Sequence, residues 1–251
     1  MGQHAAAAES CLLGIEAEER TDETKWQERR KERNVSAAHM YKTARQLLKY
    51  AKCVLEASEW LAEQGMFSDA RDLLLQIFTD EPKHETDEVC EAKKLILGRL
   101  FDIEELAVSR GEEDFFGESR GAREEILLEW ARCVVLSSAQ TADFSQVIER
   151  LLSAGVQPAS ERPVELFVLV CLCMIVQGDL DNVSQTVTRF IVKRGDAVSS
   201  SSPHYRTVKR VTSACKTQQA EMLDSVIAEF QSDPVTLKLL HAAKKLYCVS
   251  E

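Results

Sequence analysis

Glycine, proline and aromatic residues are scarce in this chain. Its 251 residues include ten glycines and five prolines, about 6% of the total and roughly half the usual share. A β-sandwich or barrel needs a turn every 8–12 residues, and a doubly wound α/β domain needs Val and Ile runs that lead into glycine-rich turns. The sequence has neither pattern, whereas helix-favouring Ala, Leu, Glu, Lys and Gln are abundant. We therefore expect an all-α protein.

Long apolar runs are also missing. A membrane-spanning helix needs roughly 18–20 apolar residues. The nearest stretch, from Val164 to Val176, contains Glu165 and is bounded by Pro163 and Gly178. We expect this stretch to be a buried helix, with no membrane span in the chain and a soluble, cytoplasmic protein.

Positive charge is in short supply over most of the chain. Residues 1–188 contain 21 Lys and Arg against 35 Asp and Glu, a net charge of −14, whereas residues 189–251 contain 10 against 6, a net charge of +4. Affinity for nucleic acid arises from cations that neutralise phosphates, so this balance argues against a nucleic-acid partner. It favours protein partners and a surface with two differently charged ends.

Motifs for catalysis or metal binding are missing, with one exception. The eight cysteines include no C-x-x-C pair, the five histidines are scattered, and no glycine-rich phosphate loop occurs. We predict no cofactor, no metal site and no catalytic residue, with the cysteines as buried free thiols of a reducing compartment. The alternative is a serine hydrolase, because Gly117-Glu118-Ser119-Arg120-Gly121 fits the G-x-S-x-G pattern. That motif functions at a strand-to-helix turn, and no strand is evident before it.

Apolar residues at three- and four-residue spacing predict about eight to nine helices in antiparallel hairpins. The first stripe extends from Met40 to Leu61 with Ser36 as its N-cap, and a second helix begins near Ser68 and stops at Pro82. Further helices are predicted over residues 86–109, 122–138, 142–154, 163–176, 180–193, 204–230 as one or two, and 234–246.

These elements divide the chain into four parts. Residues 1–34 form a charged N-terminal arm that we expect to be disordered because few of its residues are apolar, with Trp26 as the one side chain in its charged part suited to packing. Residues 35–197 form a helical repeat domain, residues 198–203 a serine-rich linker, and residues 204–251 helices that pack on the repeats.

Three segments share one pattern, which is typical of repeated helix pairs. In residues 63–78, 140–154 and 176–191, a polar turn precedes a large apolar residue, and apolar or small residues follow at fixed spacing. The residues that define the repeats are Gly65, Phe67, Ala70, Leu74, Pro82, Phe144, Gly178 and Leu180.

Residues 54–82 resemble a tetratricopeptide repeat. Gly65, Phe67 and Ala70 match the turn between the repeat's two helices, and Pro82 matches its closing proline, whereas Ala57 and Ser58 depart from the pattern. The resemblance implies stacked hairpins in an α-solenoid that acts as a non-enzymatic, protein-binding adaptor or scaffold. The first helix of each pair then lines a groove, for which the candidate residues are Lys49, Lys52, Glu56, Glu59 and Arg132.

Residues 125–191 resemble the helical domain of plant aberrant-peroxisome-morphology proteins. The likeness rests on an apolar helix over residues 126–136, a polar turn with Phe144, and Pro163-Val164-Glu165-Leu166 leading into a very apolar helix that ends at Gln177-Gly178. The resemblance implies a tether for peroxin AAA ATPases in import-receptor recycling, at the cytosolic face of peroxisomes. Members carry a membrane anchor that this sequence lacks, so the chain is a soluble isoform, a fragment or not a member. A scaffold subunit of another large complex, such as a chromosome or meiotic assembly, is the alternative.

Overall fold

The computed structural model describes residues 2–17, 23–76, 86–112, 115–116, 120–137, 144–153, 162–194 and 203–248. These residues form helices without strands, which confirms the all-α class. The helices are α1 (Gly2–Ala17), α2 (Glu23–Thr43), α3 (Leu47–Glu63), α4 (Phe67–Leu75), α5 (Asp87–Ser109), α6 (Arg120–Ser137), α7 (Phe144–Ser153), α8 (Arg162–Val176), α9 (Leu180–Arg194), α10 (Pro203–Thr217), α11 (Ala220–Glu229) and α12 (Pro234–Tyr247). Their number within the described ranges, twelve, exceeds the predicted eight to nine. None of these helices is both long enough and apolar enough to cross a membrane.

Two hairpin corners lie where the sequence predicts them. Gly65 and Gly178 have φ angles of 76° and 86°, a conformation that glycine adopts without steric cost. After α3, the amides of Gly65 and Met66 donate to the carbonyls of Ala62 and Leu61 at 3.0 and 2.9 Å. The same pair of hydrogen bonds closes α8. Each glycine therefore ends its helix through the C-terminal motif that favours this residue.

Two other helix ends carry no glycine. The single stripe predicted from Met40 to Leu61 is wrong, because the chain turns at Arg45, whose φ is 58°, and divides into α2 and α3. Ser36, predicted as an N-cap, lies inside α2, where its hydroxyl donates to the Glu32 carbonyl at 2.9 Å. Gln218, with φ of 55°, similarly separates α10 from α11. Arginine and glutamine are not among the residue types enriched in this conformation, so the sequence does not mark either turn.

The N-terminal segment, for which we expected a disordered arm, contains α1 and most of α2. One face of α2 is buried and comprises Trp26, Asn34, Ala37, Ala38 and Tyr41. This face packs against neighbouring helices, since α2 contacts both α1 and α3. The mixed-charge sequence conceals the face because its buried members are few, two of them are alanines and one is an asparagine.

The helices fall into two compact units, Met1–Arg120 and Gly121–Glu251. Most of the predicted serine-rich linker lies outside the described residues. In the first unit, each helix from α1 to α5 contacts the next helix along the chain, and α3 also contacts α5. This is the neighbour-to-neighbour contact of stacked hairpins. The residues that link α4 to α5 lie outside the described ranges.

The second unit is organised around α8. Every residue from Phe167 to Val176 is buried, and α8 contacts α7, α9, α10 and α12. The Tyr247 hydroxyl of α12 donates to the Ile175 carbonyl of α8 at 2.9 Å. Repeats of a solenoid contact only their neighbours, so the return of α12 to α8 makes this unit a closed bundle. The predicted solenoid is not confirmed here.

Four of the eight predicted repeat residues lie in the core. Phe67, Ala70, Leu74 and Phe144 are buried, and Leu180 is half-buried. Pro82 lies outside the described residues. These positions support the helix-pair register, in which small Ala70 allows close approach of α4 to its neighbours.

Candidate interaction surface

Helix α3 has two chemically distinct faces. Its buried face contains Tyr50, Ala51, Cys53, Val54, Ala57, Ser58, Leu61 and Ala62. Lys49, Lys52, Glu56, Glu59 and Glu63 are exposed, and their spacing of three and four residues places them on the opposite face in one band. The four groove residues predicted on this helix therefore share one exposed surface.

Side chains from three other helices meet this band. The Lys49 ammonium of α3 lies 2.7 Å from a carboxylate oxygen of Glu9 on α1. The Glu56 carboxylate accepts hydrogen bonds from Arg30 at 3.0 Å and from the Asn34 amide at 3.1 Å, both on α2. These contacts connect α3 to the N-terminal segment.

A further ion pair connects α3 to the helix on its other side. The Arg99 guanidinium of α5 lies 2.8 Å from a Glu59 carboxylate oxygen. We define the α3 surface as Lys49, Lys52, Glu56, Glu59 and Glu63 together with the partners Glu9, Arg30 and Arg99. Among the described residues, Lys52 and Glu63 have no ion-pair partner, so they are the members of this surface available to a binding partner.

The electrostatics at the Lys49 end of the surface follow from its contacts. The hydrogen bond to Glu9 raises the pKa of the Lys49 ammonium above its ordinary value. The ammonium also lies 5.4 Å from the centroid of the Tyr41 ring, within the range of a cation–π contact. Burial raises the pKa of the Tyr41 hydroxyl. Lys49 therefore stays positively charged and Tyr41 neutral throughout the physiological pH range.

A small cavity of about 120 Å³ lies between α2 and α3 beside this surface. The side chains that line it are Gln27, Arg30, Lys31, Asn34, Glu56, Glu59, Trp60 and Glu63. The Lys31 ammonium lies 4.9 Å from the Trp60 ring centroid. The Trp60 indole nitrogen is buried and has no hydrogen-bond acceptor among the described residues. The cavity is polar and carries both charges, so it can accept polar groups of either sign.

Arg132 belongs to a different unit from the α3 surface. It lies half-buried on α6, which belongs to the second unit. The other four predicted groove residues belong to α3 in the first unit. The five predicted groove residues, taken from two predicted hairpins, therefore do not lie within a single unit.

Four members of the α3 surface were not predicted from the sequence, namely Glu9, Arg30, Glu63 and Arg99, and neither were the adjacent side chains of Asn34 and Trp60. Arg30 and Asn34 fall in the segment expected to be disordered, and Arg99 lies on a helix that was assigned only a buried face. A usable signal was present, because Arg30, Asn34, Ala37 and Tyr41 recur at helical spacing.

The hydrolase motif gives no geometry to assess, since residues 117–119, including Ser119, lie outside the described residues.

The thiols are better defined. Six of the eight free cysteines are buried, and burial raises the pKa of Cys53 to about 11 and those of Cys173 and Cys215 to about 12. Because the thiolate is the nucleophile and the metal ligand, these three thiols are unreactive near neutral pH. In the described ranges, no three His, Cys, Asp or Glu residues are grouped to hold a metal ion.

No protein-family model matches the chain, and no curated protein matches it.

Proposed function

We propose that this chain is a non-enzymatic adaptor that binds a protein partner through the α3 surface. The observation that carries the proposal is the convergence of side chains from α1, α2 and α5 on the exposed face of one helix, through Glu9, Arg30 and Arg99. Four helices thereby present one continuous charged surface with a fixed arrangement of positive and negative groups.

The energetics of these pairs favour recognition over folding. The side chains of the three pairs are between 30% and 57% exposed. Exposed pairs of this kind contribute about 0–1 kcal/mol each to stability. Charged groups on a binding surface instead set partner choice, orientation and association rate. A fixed charge pattern that adds little stability is therefore well suited to selecting a partner.

The unpaired residues define what a partner must supply. Lys52 and Glu63 are separated by about three turns of α3, or about 16 Å along the helix axis. A partner with one carboxylate and one cation at that separation can form an ion pair with each of these two residues. The hydrogen bonds between Glu56 and α2 hold the centre of the surface rigid, which reduces the entropy lost on binding.

The resemblance to plant aberrant-peroxisome-morphology proteins extends this proposal to a location and a partner. The adaptor would then hold peroxin AAA ATPases at the cytosolic face of peroxisomes. This extension rests on sequence resemblance alone. Co-fractionation of the tagged chain with peroxisomes supports it, and co-fractionation with nuclei favours the alternative of a chromosomal or meiotic scaffold.

Site-specific photo-crosslinking in cells tests the α3 surface. A photoreactive amino acid replaces Lys52 on the surface or, as a control, the exposed Ser68 on α4. We expect a discrete crosslinked protein from position 52 and none from position 68. A second change, Glu59→Lys, should abolish this crosslink, whereas Glu28→Lys, the same charge reversal at an exposed site on α2, should leave it intact.

The opposite pattern contradicts the proposal. Crosslinks of equal yield from positions 52 and 68, or a position-52 crosslink that survives Glu59→Lys, place the partner elsewhere. The non-enzymatic part is tested with a serine-reactive phosphonate probe. We expect no labelling, and labelling that disappears in Ser119→Ala would establish a hydrolase instead.

A further inference from the structure

Helix α10 exposes a basic face in the second unit. Arg206, Lys209, Ser213 and Lys216 are exposed, and their spacing of three and four residues places them along one side of the helix. The other side is buried and comprises Thr207, Val208, Val211, Thr212, Ala214 and Cys215. The helix contains no Asp or Glu. We call Arg206, Lys209 and Lys216 the α10 stripe.

The cations of α10 differ in how they are neutralised. The Arg210 guanidinium donates to both Glu229 carboxylate oxygens at 2.7 and 2.8 Å. Lys216 lies 4.0 Å from Asp181, whose side chain is 98% exposed. Arg206 and Lys209 have no ion-pair partner in the described part of the chain. The uncompensated charge is therefore concentrated in the N-terminal half of the helix.

The position of Arg206, in the first turn of α10, is unfavourable for folding. The N-terminal end of a helix carries a partial positive charge, which acidic residues stabilise and cations destabilise. The first turns of α4, α5, α9 and α11 have acidic residues, whereas the first turn of α10, like those of α1, α3, α6 and α7, has none. An anionic group supplied from outside the chain would compensate both the helix end and the side chains.

A groove that is open to solvent lies beside Arg210, one helical turn from Arg206 of the stripe. It has a volume of about 840 Å³ and is lined by Arg210 of α10 and by Gln219, Ala220, Glu221, Met222 and Ser225 at the start of α11. The Met222 side chain offers a flexible apolar contact beside the cationic helix. A cationic helix beside an apolar side chain suits a protein segment, because such a segment can carry carboxylates and apolar side chains together.

We propose that the α10 stripe binds an acidic segment of a protein partner, with carboxylates on Arg206 and Lys209 and an apolar side chain against Met222. The charge of the whole unit favours this occupant over nucleic acid or an anionic membrane. Residues 121–251 contain 14 Lys and Arg against 15 Asp and Glu, so no extended positive field surrounds the stripe. Phosphate backbones and anionic lipids are bound by larger cationic clusters.

Fluorescence anisotropy with the full chain tests this surface. The probe is a fluorescein-labelled, alanine-based helical peptide with Glu at three- and four-residue spacing and one central Leu, measured in about 50 mM salt, where screening is weak. We expect saturable binding that Lys209→Glu weakens at least about 10-fold, because the change converts attraction into repulsion. Lys245→Glu is the matched control, since Lys245 is also exposed on a helix of this unit and the change in net charge is identical. We expect it to alter the dissociation constant less than about 2-fold.

Several results overturn the proposal. These are absence of binding, equal weakening by both variants, equal binding of a peptide with Lys in place of Glu, or tighter Lys209-dependent binding of duplex DNA or phosphatidylserine vesicles. Self-association that Lys209→Glu abolishes makes a second copy the occupant and also overturns it. Circular dichroism verifies that each variant is folded, and Arg206→Gln with Lys209→Gln replaces the charge reversal if Lys209→Glu unfolds the chain.

This surface is independent of the α3 surface. Glu59→Lys changes a different unit, so it should leave the affinity for the acidic peptide unchanged. Failure of either binding assay therefore leaves the result of the other interpretable.

Discussion

The two units place their charge and their apolar surface differently. The first unit contains 17 Lys and Arg against 26 Asp and Glu, and ion pairs connect its helices across an exposed face. The second unit surrounds α8, in which the ten residues from Phe167 to Val176 are all buried. The first unit has a stack of amphipathic helices with a patterned surface, whereas the second has one central helix that four others cover.

This difference in burial and charge separates the residues that we expect to determine stability from those that we expect to determine recognition. A helix buried on all sides contributes through apolar burial, which is large and indifferent to partner identity. Exposed charge contributes little to stability but much to specificity. We therefore expect core changes to alter the free energy of unfolding in either unit, and changes on the α3 surface to alter binding alone.

The largest effect is expected from a charge in the core of the first unit. Ala70 is fully buried on α4, so Ala70→Asp places a carboxylate without a partner where no water reaches. We expect a loss of at least about 4 kcal/mol in the free energy of unfolding, measured by urea denaturation. A midpoint equal to that of the wild type would show that the register of the α3–α4 hairpin is wrong.

A cavity in α8 tests the central role of this helix in the second unit. Leu172 is 1% exposed, and Leu172→Ala should lower the free energy of unfolding by about 2–5 kcal/mol because a void remains among packed side chains. Leu246→Ala on α12, where the side chain is 51% exposed, is the control and should change stability by less than about 0.5 kcal/mol. Equal effects at both positions would contradict the closed bundle.

Alkaline pH should destabilise the chain through its buried thiols. Burial raises the pKa of Cys53 from 9.0 to about 11 and that of Cys215 from 9.0 to about 12. In this interval the folded state binds more protons than the unfolded state, so stability is full below about pH 9 and falls as the pH rises towards 11 to 12. A pH series of urea midpoints measures this fall.

The same burial predicts which thiols react in the folded protein. At pH 8 a thiol-specific chromogenic reagent should modify half-buried Cys11 and Cys248 first, while the six buried cysteines react only on unfolding. Rapid modification of Cys171 or Cys173 in the native protein would contradict the dry packing of α8.

A smaller effect is expected from the contact that closes the second unit. Tyr247→Phe removes the hydroxyl that donates to the Ile175 carbonyl of α8 and leaves the ring in place. We expect a loss of about 1 kcal/mol in the free energy of unfolding. No change would indicate that α12 is held against α8 by apolar contact alone.

The sequence predicts the helix ends that depend on a characteristic residue. Gly65 and Gly178 end helices as expected, and Thr86 caps α5 by accepting a hydrogen bond from the Val89 amide at 3.3 Å. The turn at Arg45 was not predicted, and the division of residues 204–230 was left open without a position, because neither arginine nor glutamine is characteristic of positive φ. Tertiary contacts decide those turns.

The candidate site was predictable only where it lies on a strongly amphipathic helix. Lys49, Lys52, Glu56 and Glu59 follow from the periodicity of α3. The ion-pair partners of these residues depend on which helices lie beside α3, and the periodicity of one helix does not specify its neighbours. Arg30 illustrates this limit, since it lies in a segment whose charge suggested disorder and whose helix packs on α3.

If the α3 surface serves recognition and not folding, Glu59→Lys should separate these two properties when both are measured on the same variant. We predict that the free energy of unfolding changes by less than about 1 kcal/mol while the photo-crosslink from position 52 disappears. A crosslink that persists at the wild-type yield, or one that is lost only because the variant unfolds, would contradict the claim.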